Sequence, residues 1–205
     1  MIWLAFSSIW LSTGSCHVLI VFILYDGVDG DLTMPKYRQD DEQISDGVNL
    51  LISILVRYPE IGTINFDPRQ DSLKMTFLLS SIPSPQEFAA LEQVMLNSVL
   101  AYHMLEGVSV TTAEIHLNKY DQVAMVTILR DVHTLSKGEI ALMITLLRER
   151  LKDRLITDHN EAMLEEDLLI QEELIDNMLQ SMKQKEIVQS LIGIREDGRV
   201  LVFNK

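Results

Sequence analysis

The middle of this chain contains one residue pattern that occurs twice, about 50 residues apart. The matched positions are Ile64, Phe66, Leu73, Met75, Leu79, Ser84, Glu87, Ala89 and Leu91 in the first copy and Ile115, Leu117, Val123, Met125, Leu129, Ser136, Glu139, Ala141 and Met143 in the second. Each copy predicts a strand, a turn, a second strand and a helix, and such repetition identifies the unit from which a chain is built. Because a ββα unit cannot bury its apolar side chains alone, the two copies are expected to share one core.

Each copy also carries the signature of a helix N-terminus at the same point. Ser84-Pro85-Gln86-Glu87 combines a serine N-cap, a proline at the first helical position and a glutamate three residues after the serine. The second copy has Ser136-Lys137-Gly138-Glu139. Both segments therefore predict a capping box, in which the serine and the glutamate side chains each accept a hydrogen bond from the other residue's backbone N–H.

The neighbouring segments predict an α+β fold. Residues 41–58 have apolar side chains at helical spacing, and Pro59 follows them. The turn-forming residues 68–71 and 118–121 each separate two short apolar strands. We therefore predict duplicated ββα units that form a four-stranded antiparallel sheet with helices on one face. This core domain is expected to span residues 34–158, with the repeats at 63–107 and 112–158.

Residues 159–205 are predicted to add a helix and a hairpin to this core. The helix covers residues 161–190, and Asp197-Gly198 suits the tight turn of a hairpin. An apolar stripe on the helix has no obvious cover within the two-unit core, and such a stripe left in water promotes association. We predict that it forms a homodimer interface through Leu168, Ile175, Leu179 and Met182.

Residues 1–33 need a separate interpretation. Residues 2–25 contain no charged side chain, and a helix of that length would cross a bilayer core of about 30 Å. Serines dilute the segment, however, and acidic rather than basic residues follow it. Three alternatives remain: an over-long start before a natural beginning at Met34, a membrane anchor formed by residues 2–25, and a cleaved signal peptide. The first predicts a cytoplasmic protein, and the second a membrane-anchored one.

The charge of the chain limits the classes of partner. A formal net charge of −13 repels phosphate backbones at long range, so we expect a basic or amphipathic protein partner rather than nucleic acid. Cys16 is the single cysteine, which excludes an intrachain disulfide and a metal site built from several cysteines. The sequence has no glycine-rich phosphate loop and no nucleophile elbow. We therefore predict no cofactor, no metal and no catalytic residue, and favour a non-enzymatic protein.

One set of side chains offers an alternative. Glu114 and His116 lie on the same side of one predicted strand, and Asp131 and His133 do so at the end of another. If the four converged, they would form a small-ligand site or an active site between the two repeats. Alternation directs the intervening Ile115 toward the core, so Glu114 and His116 are expected to face solvent. The acidic run between residues 161 and 176 is likewise interpreted as a solvated helix face. The basic cluster between residues 148 and 154 is interpreted as complementing the dipole at the end of its helix, with pairing to the acidic helix that follows as the alternative.

The order of elements over residues 41–158 resembles that of type III secretion chaperones and of the related bacterial sensory-transduction-regulator family. The resemblance rests on the turn at residues 118–121 between apolar strands and on Ser136-x-x-Glu139 at the start of the last helix. It implies an acidic α+β domain that dimerises and binds protein segments. Our first functional hypothesis is therefore a non-enzymatic protein-binding module, chaperone-like or regulatory. The alternatives are a small-ligand-binding protein or enzyme, and a membrane-tethered protein.

Overall fold

A computed structural model of the chain describes residues 5–13, 16–24, 39–158, 165–184, 189–196 and 199–204. The helices are α1 (Gln39–Arg57), α2 (Pro85–Glu106), α3 (Lys137–Leu151) and α4 (Glu165–Gln184). The strands are β1 (Ala5–Thr13), β2 (Cys16–Leu24), β3 (Ile61–Asp67), β4 (Ser72–Leu79), β5 (Ala113–Tyr120), β6 (Val123–Asp131), β7 (Leu191–Glu196) and β8 (Arg199–Asn204).

The fold is α+β, as predicted, and its centre is an antiparallel sheet of six strands in the order β5-β6-β4-β3-β7-β8. Apolar side chains from one face of this sheet and from the four helices form the hydrophobic core. The helix α1 begins two residues before the predicted start at residue 41, and its side chains Leu50, Leu51, Ile54 and Leu55 are completely buried. The predicted sheet had four strands and lacked β7 and β8.

The order strand, strand, helix occurs twice, as β3-β4-α2 and as β5-β6-α3. The two hairpins meet where β4 pairs with β6, with Phe77 opposite Val126. Our alignment of the second strands was wrong by one residue, because β6 directs Val126 and its alternate neighbours Ala124 and Ile128 into the core. Val123, Met125 and Leu129 lie on the other face of the strand. Since both faces of β6 are apolar, the sequence alone does not identify the core face.

The two predicted helix caps differ in detail. Ser84 forms the complete capping box with Glu87 at the start of α2. At the start of α3, the Ser136 Oγ accepts a hydrogen bond from the Glu139 N–H at 3.2 Å. The Glu139 carboxylate instead points into the core, so this box is only half formed.

The predicted C-terminal hairpin exists as β7 and β8, and it docks on the core sheet through β3. The predicted turn at residues 197–198 lies outside the described residues. Gly193 permits the close packing of β7, because a Cβ atom there would lie 2.8 Å from Leu55 Cδ1 and 3.0 Å from Ile64 Cγ2. The segment that we treated as an extension of the domain therefore completes its central sheet.

The amino-terminal segment differs from the helix that we considered for it. Its described residues form an antiparallel hairpin of β1 and β2, with Ile9 opposite Ile20, and β2 runs close to β8. Among the residues that the structure describes, no helix is both long and apolar enough to cross a membrane. The alternative beginning at Met34 lies outside the described residues and stays a prediction.

Candidate protein-interaction site

The four residues of the alternative ligand site do not come together in one place. Glu114 Oε2 lies 3.0 Å from His116 Nε2, and both side chains are exposed, as alternation predicted. His133 Nε2 instead lies 3.5 Å from Asp71 Oδ2 at the surface. Asp131 is buried and bonds to Arg130. The convergence of these four side chains, on which the small-ligand or enzyme hypothesis depended, is therefore not found.

Nor do other described residues form a metal site, since no group of three or more histidine, cysteine, aspartate or glutamate side chains among them could hold an ion. The basic cluster at the end of α3 and just after it forms pairs with acidic residues of the core domain: Arg148 Nε bonds to Glu60 at 2.6 Å, and Arg154 Nη2 bonds to Glu87 at 3.1 Å. We had considered pairing between this cluster and the acidic helix. The described partner of α4 residue Glu172 is instead Arg57.

A buried ionic cluster centres on Arg130, which projects from β6 into the core and is completely buried. A guanidinium has five N–H donors, and here each one has an acceptor. The acceptors are the two carboxylate oxygens of Glu139, the Thr112 carbonyl, Asp131 Oδ2 at 2.8 Å and Thr134 Oγ1 at 3.0 Å. Arg130 therefore has no donor left for a ligand.

The cluster joins several elements at one end of the domain. His103 Nε2, near the end of α2, lies 2.6 Å from Glu139 Oε2 at the start of α3. The Thr112 N–H, just before β5, donates to Asp131 Oδ2 at 3.1 Å. Through Arg130 and its acceptors the ends of two helices and two strands are held together, so we interpret the cluster as structural.

Hydrogen bonding keeps Asp131 and Arg130 ionised although both are buried. Burial alone would raise the pKa of Asp131, but hydrogen bonds from Thr112, Thr134 and Arg130 lower it to about 2. Burial alone would lower the pKa of Arg130, but hydrogen bonds and charge from Glu139 and Asp131 raise it. Both groups are therefore ionised at neutral pH.

A cleft of about 260 Å³ lies at another place, between the start of β3, the segment after α3 and β7. It is lined by Pro59, Glu60, Gly62, Leu78, Ile156, Asp158 and Arg195. Its charged groups already contact protein atoms: Glu60 bonds to Arg148, and Arg195 bonds to the Leu55 carbonyl and lies 3.9 Å from Asp158. The charged groups that line the cleft are therefore already in contact with other groups of the protein.

The apolar stripe of α4, which we predicted as a homodimer interface, is covered by the chain itself. Ile175, Leu179 and Met182 are buried in the core, where α4 packs against α1, and Leu168 is half-buried. The premise that the core has no room for this stripe was wrong, because α1 provides the cover. The reason for placing the interface at these four residues is thereby removed.

Instead, α2 has apolar side chains on both its inner and its outer side. Its inner side buries Leu91, Met95, Val99 and His103. On its outer side, Met104 is 84% exposed. We use the term α2 outer face for the exposed stripe of Ala90, Gln93, Asn97, Ala101 and Met104, flanked by Leu100 at 54% and Leu105 at 88% exposure.

The α2 outer face contains no charged residue, although the chain has a net charge of −13. The acidic residues of α2 are Glu87, Glu92 and Glu106, and none of them belongs to this stripe. Sequence reasoning missed the surface, yet a signal was present, since Leu100, Met104 and Leu105 lie outside the inner stripe of Leu91, Met95 and Val99. A large apolar side chain in water on such a helix is the informative exception.

Comparisons of the chain with protein-family models, with curated proteins and with solved structures found no match.

Proposed function

We propose that this chain is a non-enzymatic protein-binding module that acts as a homodimer, and that the α2 outer face is its association surface. The observation that carries the proposal is the almost complete exposure of Met104 and Leu105 at the end of an outer face that contains no charged residue. Full burial of one such side chain contributes roughly 1.5–3 kcal/mol. Burial of these side chains on two copies therefore favours reversible association.

Charge supports a second copy as the occupant of this face. Two copies with a net charge of −13 repel each other, and they do so least where the contacting surfaces are uncharged. A basic partner would gain most from a surface with carboxylates, which the α2 outer face lacks. The acidic remainder of the surface then favours a basic or amphipathic protein segment over nucleic acid as the further partner.

The resemblance to type III secretion chaperones and sensory-transduction regulators leads us to propose a chaperone-like or regulatory role. The proposal places the protein in the cytoplasm, where domains do without disulfides, in keeping with the single cysteine. In this proposal the buried Arg130 cluster stabilises the end of α2, because His103 immediately precedes Met104 and bonds to Glu139.

Sedimentation equilibrium of the unmodified chain tests the proposal. We expect a dimer that dissociates on dilution, and we expect Met104→Glu to raise its dissociation constant about tenfold or more, equivalent to about 1.4 kcal/mol. The matched control is Leu169→Glu, which introduces the same charge at an apolar residue of α4 that is 61% exposed. This control should leave the dissociation constant unchanged.

Circular dichroism should show unaltered helix content in both variants, because both side chains are exposed. A monomer at every concentration would overturn the proposal. So would a dimer that Met104→Glu and Leu169→Glu weaken equally, since the association surface would then lie elsewhere.

A further inference from the structure

The geometry points to antiparallel pairing of two α2 helices, with Asn97 of each copy at the twofold axis. This inference rests on the proposed dimer and adds its register and direction. It starts from the spacing of the α2 outer face, where Ala90, Asn97 and Met104 recur every seven residues. Such a repeat keeps one seam of a helix against its neighbour.

The sizes of the side chains along this seam favour the antiparallel direction. If two copies meet at Asn97, the small Ala90 of one helix lies opposite the large Met104 of the other, and Gln93 lies opposite Ala101. Large side chains opposite small ones give even packing along the seam. A parallel pair would instead place Met104 against Met104 at one end and leave a gap between alanines at the other.

The polar contents of the seam agree with this arrangement. In a twofold contact each residue on the axis meets its own copy, so a charge there would meet an equal charge. Asn97 carries none, and its amide both donates and accepts hydrogen bonds, so two copies can bond to each other. An asparagine in the seam between two helices is known to define the register of pairing in coiled coils. Antiparallel alignment also brings the helix dipoles into favourable opposition.

The size of this contact sets the expected affinity. A stable interface usually buries about 800 Å² on each partner. One helix of 22 residues with a narrow seam offers less than that. We therefore expect a dimer that dissociates at micromolar concentrations.

Disulfide trapping in the Cys16→Ser chain tests the register, since Cys16 is the single natural cysteine. Asn97→Cys should form a covalent dimer on oxidation, because each copy meets itself at the axis. Ala90→Cys and Met104→Cys should each fail to do so alone, because in the antiparallel pair each lies about 21 Å from its own copy. An equimolar mixture of these two variants should yield the covalent heterodimer. Lys74→Cys, exposed on the sheet, measures chance cross-linking.

The outcomes distinguish an error in the helix direction or register from absence of the proposed dimer. If Ala90→Cys alone cross-links as fast as Asn97→Cys, the helices are parallel and the inference is wrong. If none of the α2 variants cross-links faster than Lys74→Cys, but Met104→Glu still dissociates the dimer, the surface is right and the register is wrong. If the unmodified chain is a monomer in sedimentation, both ideas fail.

Discussion

Glu139 at the start of α3 accepts hydrogen bonds from both Nε and Nη2 of Arg130 in β6, and both side chains are completely buried. This pair explains why the second capping box is incomplete, since the glutamate that should reach back to Ser136 is held in the core. Removal of one member of a buried pair leaves an uncompensated charge, which is more costly than replacement of both.

Arg130→Met and Glu139→Leu should each lower the free energy of unfolding by about 3–5 kcal/mol, whereas the double variant should lose clearly less than the sum. Urea denaturation measures these differences. Arg57→Met is the control, because it breaks a pair with Glu172 at 2.6 Å whose side chains are 26% and 28% exposed, and it should cost at most about 1 kcal/mol. Strict additivity of the two core substitutions would show that the pair is not coupled.

Acid should destabilise the fold through Asp131. Its pKa is lowered from 3.8 to about 2 in the folded chain, so its contribution is fully present above about pH 4 and is lost as the pH falls toward 2. The shift corresponds to roughly 2 kcal/mol. Urea midpoints between pH 5 and pH 2 should fall in the unmodified chain.

Asp131→Asn should make the urea midpoint depend less on pH. Part of the pH dependence should remain, because hydrogen bonds with Ser84 and Arg154 also lower the pKa of Glu87 to about 2. Glu87→Gln is therefore the companion variant. An identical pH slope in Asp131→Asn and in the unmodified chain would contradict the assignment.

Ser84→Ala and Ser136→Ala should each destabilise the chain by about 1 kcal/mol, because each serine Oγ accepts a hydrogen bond from the backbone N–H three residues later. Chemical denaturation measures the loss. Ser84→Asp preserves the acceptor and should retain most of the stability. Denaturation midpoints that do not move in either alanine variant would disprove the role of the caps.

Gly193→Ala should cost about 1–3 kcal/mol, because its Cβ would crowd Leu55 and Ile64 in the core. Gly62→Ala in β3 is the matched control, since the nearest atom to a Cβ there is Leu78 Cδ1 at 3.5 Å, an ordinary contact. Thermal or urea unfolding of the two variants gives the comparison. Equal stability would mean that β7 does not pack as closely on α1 as described.

Ile175→Asp should unfold the chain or cost at least about 4 kcal/mol, because it places a charge in the core between α4 and its neighbours. Leu169→Asp on the exposed side of the same helix should cost little. Circular dichroism and urea denaturation distinguish these results. A folded monomer produced by Ile175→Asp would restore the α4 stripe as an intermolecular interface.

Local patterns in the sequence were sufficient for the secondary structure of the two ββα segments and the C-terminal hairpin, but not for the amino-terminal hairpin of β1 and β2. The serine at each helix start, the turn residues between strands and the alternation of Ile64 and Phe66 depend on neighbours within a few residues. The same locality explains the errors. β6 is apolar on both faces, so alternation did not distinguish Met125 from Val126. The α4 stripe is a true apolar stripe, but nothing in it indicates that α1 covers it.

The sequence by itself determined the α+β class, the two ββα units in chain order, the caps at Ser84 and Ser136 and the C-terminal hairpin. Tertiary structure alone decided that this hairpin completes the sheet, that Glu139 pairs with Arg130 and that α2 keeps an apolar face in water. The physical reason is range. Helix caps and turns arise from nearby backbone groups, whereas contacts such as that between Arg195 and the Leu55 carbonyl join residues 140 positions apart. Which apolar surface stays exposed depends on all such contacts together.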